Sequence, residues 1–596
     1  MSNSKDCLIS PGTENPIVKV DLAWNEVYCT HEAVGKPKRD ILKGISGYAV
    51  SGEFLAIMGT SGAGKTTLLN LISGKEKSTS TLKYRGTIKA NGQEIDSINY
   101  AKYVGYVTQE DILLDLLTVR ESILFASRLK TSMPEPEKQF KTNELIEELN
   151  LSKCQHTLIG SYFVKGVSSG EKKRTCIAIE LITSPSILFL DEPTSGLDSY
   201  TALQVIDVMN RQASKGRTVL STIHQPNSDI YSRFDKLLLL CDGFVMYHGE
   251  AKHAVKYFGR LGYECPITSN PADYFMEILH IMRPEAKSKE EEEKISLFRD
   301  NFISEGRSEY KCKHAAEQLE RVSSSYTASF AYQLFRCTQR AALLLIRNPK
   351  LTYFKLGILI FVAMLMDILY FDLGSSTRTT KMEDRNGSLF FIVNTMIYAN
   401  LHSTIVNFPL IREVFLKEYR AKMYGVFAFY LAKNLADLLA EIVLSLVFGL
   451  SIYFIIGYNL NTPEKPVLFL VLLILTHMSG TSLGLLAGCW FKRLDIALSM
   501  GSVVALPFYY FSGFIRSTKS IPIALKWIAD LSVFRWGFDG LILNEYHDFK
   551  HSGKGADQLD ELDIHGNVWE CIVYLSALML GMRIISFIGL KYNANR

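Results

Sequence analysis

The chain has 596 residues, more than one hydrophobic core normally organises, so two or more domains are expected. A net charge of +4 and the lack of Lys/Arg clusters interleaved with aromatic residues argue against nucleic-acid binding. Ten cysteines without C-x-x-C spacing argue against a zinc site and imply no disulfide framework. The polar N-terminus shows no signal peptide, whereas the second half is crowded with apolar runs. Internal segments are therefore expected to enter a membrane.

The chain begins with a predicted loose tail and then enters a phosphate-binding unit. Residues 1–16 are polar, and Val18–Trp24 alternates apolar and polar residues like an edge strand. Residues 54–58 suit a buried strand, and residues 67–72 read as a helix whose N-terminus would face an anion. Residues 59–67 between them read G-T-S-G-A-G-K-T-T and match the phosphate-loop pattern G-x-x-x-x-G-K-[ST].

This phosphate loop predicts binding of a nucleoside triphosphate. Its backbone N–H groups would cradle the phosphates, and Lys65 would place a positive charge beside the β- and γ-phosphates. The Thr66 hydroxyl can bind Mg²⁺. The predicted nucleotide-binding residues of the loop are Gly59, Thr60, Ser61, Gly62, Ala63, Gly64, Lys65, Thr66 and Thr67.

The next two elements are a hairpin turn and a loop glutamine. Residues 86–92 read as a strand followed by a turn through an Asn-Gly pair. Gln109 follows an apolar strand at 103–108, where its side chain could reach Mg²⁺ or an attacking water. Taken alone, an exposed loop glutamine is ordinarily without function.

A small-residue turn and a pair of acids come next. Residues 167–174 read V-S-S-G-E-K-K-R and open a helix, so their N–H groups and a serine hydroxyl can face an anion. Residues 186–193 read S-I-L-F-L-D-E-P and place two acids at the end of a presumptive central strand. Asp191 would hold Mg²⁺, and Glu192 would polarise the nucleophilic water. His224 ends another apolar strand, which should lie beside the strand of Asp191, although a lone histidine there is usually structural.

In order, these elements resemble the nucleotide-binding domain of ABC transporters. The further runs K-K-R, T-I-H-Q-P and N-P-A-D-Y-F at 270–275 resemble the G subfamily, of White/Brown type. The resemblance implies an α/β P-loop ATPase domain followed by an all-α six-helix transmembrane domain, with ATP and Mg²⁺ as cofactors. It implies that residues Ser168, Gly170 and Glu171 touch the nucleotide held by a second subunit. It also implies catalytic roles for Glu192, His224 and Gln109, and Mg²⁺ binding by Thr66, Gln109 and Asp191.

Two positions depart from the family pattern. Ser169 stands where the signature usually has a second glycine; if its backbone required a positive φ, serine would cost about 1 kcal/mol and weaken hydrolysis. An aromatic residue that stacks on adenine is also expected upstream of the phosphate loop, and the nearby candidates are Tyr28 and His31.

The predicted ATPase domain covers residues 17–283 and is followed by a charged linker at 284–327, read as a solvated linker or the solvated face of a helix. Residues 328–349 predict a basic amphipathic connecting helix that suits the cytoplasmic membrane interface. The transmembrane domain is assigned to 350–596, since about 20 apolar residues cross a bilayer. The six predicted spans are 354–373, 388–410, 430–457, 466–489, 495–515 and 570–590.

Six spans return the C-terminus to the side of the ATPase domain, so both termini are expected in the cytosol. Basic residues in the loops between spans two and three and between four and five agree with this orientation. The plasma membrane and an internal membrane both remain open. Residues 516–567 are expected to form a long outer loop, and Asn386 heads a glycosylation sequon close to span two.

Charged residues inside the predicted spans carry two interpretations. Arg583 lies in the middle of span six, and Asp437 and Glu441 share a face of span three. The two acids either serve transport or pair with basic loop residues at the interface with the ATPase domain. By resemblance, a cargo cavity lies between spans two and five of both subunits, although plain helix packing accounts for its residues equally well. The candidate cavity and gate residues are Asn394, Tyr398, Leu506, Tyr509, Phe514 and Ile515.

The sequence thus predicts an ATP-driven half-transporter in a lipid membrane that works as a homodimer or a heterodimer. It would export a lipid, sterol or hydrophobic small molecule by alternating access. A membrane-anchored ATP-binding regulatory subunit with slow hydrolysis is the second hypothesis. A soluble ABC ATPase is the third, and the apolar spans argue against it.

Overall fold

A computed structural model of the chain shows two compact units that divide between residues 325 and 326, and each is considered by itself. The predicted tail 1–16 lies outside the residues that the structure describes. The described residues are 17–32, 35, 37–76, 81–161, 164–280, 289–304, 319, 326–371, 379–547 and 554–595.

The first unit is built on two sheets, a four-stranded one in the order β2-β1-β4-β5 and a six-stranded one in the order β10-β9-β3-β8-β7-β6. The strands are β1 Leu22–His31, β2 Arg39–Ala49, β3 Phe54–Gly59, β4 Leu82–Ala90, β5 Gln93–Glu94, β6 Val104–Val107, β7 Ile187–Asp191, β8 Thr218–Thr222, β9 Lys236–Cys241 and β10 Phe244–Glu250.

The larger sheet is parallel except at its β9–β10 edge. Strands β3, β7 and β8 are buried along their whole length, as the continuous apolar runs of a parallel sheet covered on both faces require. The prediction that the strand before His224 lies beside the strand of Asp191 is confirmed, because β8 pairs with β7.

The smaller sheet corrects one expectation. Strand β1 was expected at an edge, but it pairs with both β2 and β4 and is therefore interior. The alternation of apolar and polar residues in Val18–Trp24 predicts a strand with one buried face. It does not indicate whether that strand pairs with one neighbouring strand or with two. The predicted turn through Asn91-Gly92 is confirmed: both residues have positive φ and join β4 to β5.

Helices surround the larger sheet. In the first unit they are α1 Lys65–Ile72, α2 Val119–Lys130, α3 Glu135–Glu148, α4 Ser169–Leu181, α5 Ser199–Ser214, α6 Ser228–Tyr231, α7 Ala254–Arg260, α8 Pro271–Ile278 and α9 Lys289–Ser304. Helix α9 lies inside the predicted linker, yet Phe298 on it is fully buried against Phe258 and Tyr263. Of the two readings of this charged segment, the helix therefore describes residues 289–304, and one face of that helix is packed in the first unit.

The second unit is helical in all its described elements. Its helices are α10 Phe330–Ile346, α11 Pro349–Leu369, α12 Thr379–Arg420, α13 Val426–Ile456, α14 Glu464–Trp490, α15 Leu494–Tyr510, α16 Lys526–Asp530, α17 Val533–Tyr546, α18 Lys554–Leu562 and α19 Val568–Asn595. Within the described residues, α12, α13, α14 and α19 are long and apolar enough to cross a membrane, and α15 is a shorter apolar helix.

The predicted span limits differ from the limits of the helices; α11, for example, runs from Pro349 to Leu369 where span one was predicted at 354–373. Helix α12 extends far beyond span two at both ends. Helix α15 ends at Tyr510, five residues before the predicted end of span five, and Gly513 then adopts a φ of 92° that a helix does not allow. Phe514 and Ile515 therefore lie beyond the helix.

Close packing joins α12 to α14. A Cβ atom on Gly480 would lie 2.5 Å from the carbonyl oxygen of Ile397, and one on Gly484 would lie 2.6 Å from Cβ of Thr404. Small residues spaced four apart let two helix backbones approach in this way, which strengthens van der Waals packing where lipid offers no hydrophobic drive.

The predicted outer loop contains a buried helix that the sequence reasoning missed. Helix α17 packs against α12, α14 and α19, and Ser532 caps its N-terminus. The helix is shorter than a membrane span, so the length rule could not select it. The neighbouring Cys571 is buried and is a free cysteine within this chain. Asn386 of the sequon is also buried, and its amide donates to Gln558 at 2.9 Å.

The charges in the predicted spans find polar partners within the second unit. Asp437 forms an ion pair with Lys433 one helical turn away. Glu441 accepts a hydrogen bond from Thr481, and Nε of Arg583 donates to Ser482 at 3.1 Å. Lys433 lies inside α13, so the Asp437 ion pair joins two residues of one helix and does not involve a basic loop residue.

A buried ion pair fixes helix α10 within the second unit. The Arg340 guanidinium donates to both carboxylate oxygens of Glu418 at 2.6 and 2.9 Å and to the Tyr424 hydroxyl at 3.1 Å. Bidentate geometry of this kind is the strong form of an ion pair.

Arg340→Met is predicted to destabilise the protein by about 3–5 kcal/mol, because it leaves the Glu418 carboxylate buried without its partner. Thermal unfolding of the purified protein should show a large fall in Tm. The double variant Arg340→Met with Glu418→Met removes both charges and should recover part of the loss. A double variant less stable than Arg340→Met would contradict this account.

Candidate nucleotide site

The phosphate loop begins at the end of β3 and runs into α1. Gly64 precedes the helix with a φ of 95°, and a Cβ atom there would lie 2.5 Å from Cδ2 of Leu42. Both the backbone conformation and the lack of space therefore require glycine. The loop leaves the N-terminus of α1 directed at the space where an anion would bind.

Lys65 is held within the loop. Its ammonium donates to the carbonyl oxygens of Gly59 at 2.8 Å and Thr60 at 3.0 Å. Burial lowers the pKa of this ammonium, while the nearby carboxylates of Glu192 and Asp191 act in the opposite direction. A bound polyphosphate would offer Lys65 anionic partners in place of neutral carbonyls.

Asp191 is anchored where β7 ends. The parallel pairing of β7 with β8 places it opposite Thr222. Its Oδ1 accepts hydrogen bonds from the hydroxyls of Thr222 at 2.7 Å and Thr66 at 3.0 Å. The predicted metal ligands Thr66 and Asp191 are thus in contact.

Glu192 follows in a strained conformation with a φ of 44°. Its N–H donates to the Thr222 hydroxyl at 2.8 Å, and its carboxylate accepts from Nε2 of Gln109 at 2.9 Å. Gln109, Asp191 and Glu192 are therefore brought to one edge of the sheet. His224 lies two residues beyond Thr222 and is exposed.

These residues fit a Mg²⁺ ion bound together with a nucleotide. A hydroxyl, a carboxylate and an amide oxygen are ligands that Mg²⁺ accepts, and the ion usually takes only one or two protein carboxylates alongside substrate phosphates. The described residues contain no cluster of three or more His, Cys, Asp or Glu side chains that would hold a metal by themselves. The metal would therefore depend on the phosphates for the rest of its ligands.

The signature turn, residues 167–171, leads into α4. Ser168 caps this helix, and the Glu171 carboxylate accepts hydrogen bonds from the N–H and the hydroxyl of Ser168, both at 2.9 Å. Burial alone would raise the pKa of Glu171, but these hydrogen bonds hold it below its ordinary value. Glu171 thus orients Ser168, which is exposed at the helix N-terminus.

The structure answers the question raised by Ser169. This residue is the first of α4 and is not among those with positive φ, so serine carries no backbone strain there. Gly170 is the position that requires glycine: a Cβ atom would lie 2.0 Å from Cγ2 of Thr201 on α5. The condition for a loss at Ser169, a positive φ, is therefore not met.

The candidates for adenine stacking lie on β1. The Tyr28 ring is covered by the Arg85 guanidinium at 4.2 Å from the ring centroid, and its hydroxyl lies where a Cβ on Gly44 would be. His31 ends the strand and is exposed. Tyr28 is thus already engaged by Arg85 and Gly44, which leaves it ill placed to stack on a base.

The candidate cavity residues separate into two groups. Tyr398 and Tyr509 are neighbours with ring centroids 6.1 Å apart, and Phe514 stacks on Phe390 at 4.6 Å. The amide oxygen of Asn394 is buried without a hydrogen-bond partner. Leu506 and Ile515 are exposed, and so is Phe514 in spite of its stacking contact.

Comparison with known families agrees with this geometry. A family model described as ABC transporter matches residues 42–195. Models described as ABC-2 type transporter match residues 332–546 and 224–306. The fold and site thus define an ATP-binding membrane transporter of the ABC class.

Individual relatives narrow this class. Protein white of Drosophila melanogaster is 32% identical, covering 96% of this chain and 86% of that protein. ABC transporter G family member 14 of Arabidopsis thaliana is 31% identical, and the match covers 97% of this chain and 93% of that protein. The broad substrate specificity ATP-binding cassette transporter ABCG2 of Bos taurus is 32% identical, and the match covers 85% of this chain and 81% of that protein. The chain belongs to the G subfamily of ABC transporters, in which ATP hydrolysis is coupled to transport.

Sequence reasoning missed Thr222. Its hydroxyl donates to Asp191 and accepts from the N–H of Glu192, so it orients both acids. The threonine lies in an apolar strand 30 residues from the acids, and only the pairing of β7 with β8 reveals its role.

Thr222→Val is predicted to lower kcat about 10- to 100-fold, in the range seen when a group that orients metal ligands is lost. ATP affinity should change little, because the phosphate loop is untouched. Thr222→Ser keeps the hydroxyl and is the matched control. Steady-state ATPase kinetics would contradict the role if Thr222→Val and Thr222→Ser had equal kcat values.

Gly170→Ala is predicted to lower ATPase turnover about 10-fold or more, since the added methyl group must displace Thr201 and the signature turn with it. Ser169→Gly should leave turnover within about twofold, because Ser169 has no strained backbone to relieve. Both variants are assayed in the same lipid. A large gain from Ser169→Gly would show that the signature serine impairs hydrolysis after all.

Proposed function

We propose that the chain is an export half-transporter in which two copies, or this chain and a related partner, sandwich two ATP molecules between them. Closing of the ATPase domains would move the membrane helices toward an outward-facing state, and hydrolysis would reset them. Such a shift depends on ATP binding the closed state more tightly than the open one. The ATPase domain and both termini would face the cytosol, where ATP is found.

The observation that carries this proposal is the exposed signature turn. Ser168 presents a capped helix N-terminus to solvent, with its hydroxyl and N–H oriented by Glu171. A helix N-terminus of this kind favours an anion. The phosphates of a nucleotide held by a neighbouring Lys65 would supply one.

In the proposed mechanism the acids have separate tasks. Asp191 and Thr66, already joined by a hydrogen bond, would hold Mg²⁺, and Gln109 could complete its ligands. Glu192 would accept the proton of the attacking water, with Gln109 holding its carboxylate in place. His224 would contact the transferred phosphate from its exposed turn. Mg²⁺ would neutralise charge that develops on the phosphate oxygens.

We assign the cargo to hydrophobic small molecules, lipids or sterols. The aromatic side chains of Tyr398, Tyr509 and Phe514 offer apolar area, and the unpartnered amide of Asn394 offers one polar group beside them. A few polar groups in an otherwise apolar lining are typical of ligand sites.

The alternative is a membrane-anchored ATP-binding regulator that hydrolyses slowly. Its motivation was the signature serine, and the unstrained backbone of Ser169 removes that reason. The hydrogen-bonded Gln109–Glu192 pair also favours an active hydrolase.

Glu192→Gln is predicted to abolish ATP-dependent uptake into inside-out vesicles while nucleotide binding is kept, because the amide cannot accept the proton of water. A panel of labelled lipids, sterols and hydrophobic small molecules is tested for uptake and for stimulation of the ATPase. Equal uptake by the native chain and the variant would refute coupled transport.

Crosslinking in the same vesicles should give a dimer, and a fully active monomer would refute the shared site.

A further inference from the structure

We propose that Lys173 is a positioning residue that couples the Gln109–Glu192 pair to the signature turn of the same subunit. Through it, nucleotide in one site would set the position of the turn that serves the neighbouring site. The inference rests on the proposed dimer.

Lys173 lies one turn into α4 and is 2% exposed. Its ammonium donates to the carbonyl oxygens of Thr108 at 3.3 Å and Gln109 at 2.8 Å, and it forms an ion pair with Asp111 at 2.9 Å. All these partners belong to residues 108–111, the segment that follows β6. A buried ammonium is tolerated only with partners of this kind, so the contact is a specific one.

The segment 108–111 also carries the catalytic contact. The side chain of Gln109 donates to the Glu192 carboxylate, while its own backbone carbonyl accepts from Lys173. A displacement of Gln109 toward a bound nucleotide would therefore be passed to α4 through the Lys173 side chain.

The other side of the α4 N-terminus is packed on α5. Gly170 leaves no room for a Cβ beside Thr201, and the Arg174 guanidinium donates to Gln204 at 3.1 Å. The N-terminal turns of α4 thus lie between segment 108–111 and α5, without slack that could absorb a movement. Lys173 is the polar connection on the catalytic side.

The test uses the full-length dimer in lipid with the Glu192→Gln background, which should retain ATP in closed sites. Initial affinity is measured with a fluorescent ATP analogue, and closure is measured as the release rate of retained ATP. Lys173→Met is expected to speed release about 5-fold or more, within the usual range of coupling between sites, while initial affinity changes less than about 2-fold. A merely structural defect would change both.

Lys130→Met is the matched control. The Lys130 side chain, at the end of α2, is 7% exposed and pairs at 3.0 Å with Glu180, which lies on α4 away from segment 108–111. Equal release rates in the Lys130→Met and Lys173→Met variants would overturn the inference, as would release from Lys173→Met at the rate of the background.

If Lys173→Met does not fold, Asp111→Asn removes one charge of the contact at nearly constant volume and is expected to speed release in the same direction. Unchanged release in that variant would also overturn the inference. Failure of the Glu192→Gln background itself to retain ATP would refute the sandwiched dimer, and the role of Lys173 would fall with it. If the Glu192→Gln background retains ATP and Lys173→Met leaves the release rate unchanged, the role of Lys173 alone is refuted.

Discussion

The parallel pairing of β7 with β8 is the constraint on which the arrangement of Asp191 and Glu192 depends. It sets Asp191 opposite Thr222, and one hydroxyl then binds both the Asp191 carboxylate and the N–H of Glu192. The positive φ of Glu192 is a cost that the surrounding hydrogen bonds must offset. Without this register the acids would follow a strand end at no fixed distance from the phosphate loop.

Much of the nucleotide site could be predicted because its chemistry is local in sequence. The phosphate loop needs glycine at fixed offsets, and two acids after an apolar run need a partner. Thr222 and Lys173 could not be predicted, since each acts through contacts between elements that are distant along the chain. The cost of serine at position 169 could not be predicted for a related reason: the sequence shows which residue departs from a family pattern but not the φ angle of that residue.

In the membrane half, hydropathy and length identified the long helices but not their limits or the shorter elements. Helix α17 was assigned to a loop because the length expected of a membrane span does not detect a buried helix that is too short to cross a bilayer. Helix α9 is charged on one side, yet it buries Phe298. In both cases the burial comes from tertiary packing, which a composition average over the segment hides.

The contact between α12 and α14 also limits how the second unit can deform. Separating the two backbones at Gly480 and Gly484 would leave a void, because glycine has no side chain that could fill it. The two helices are thus expected to travel as a single rigid body. Any opening of a route through the bilayer must then come from hinges at the ends of this pair, or from sliding of other helices along its surface.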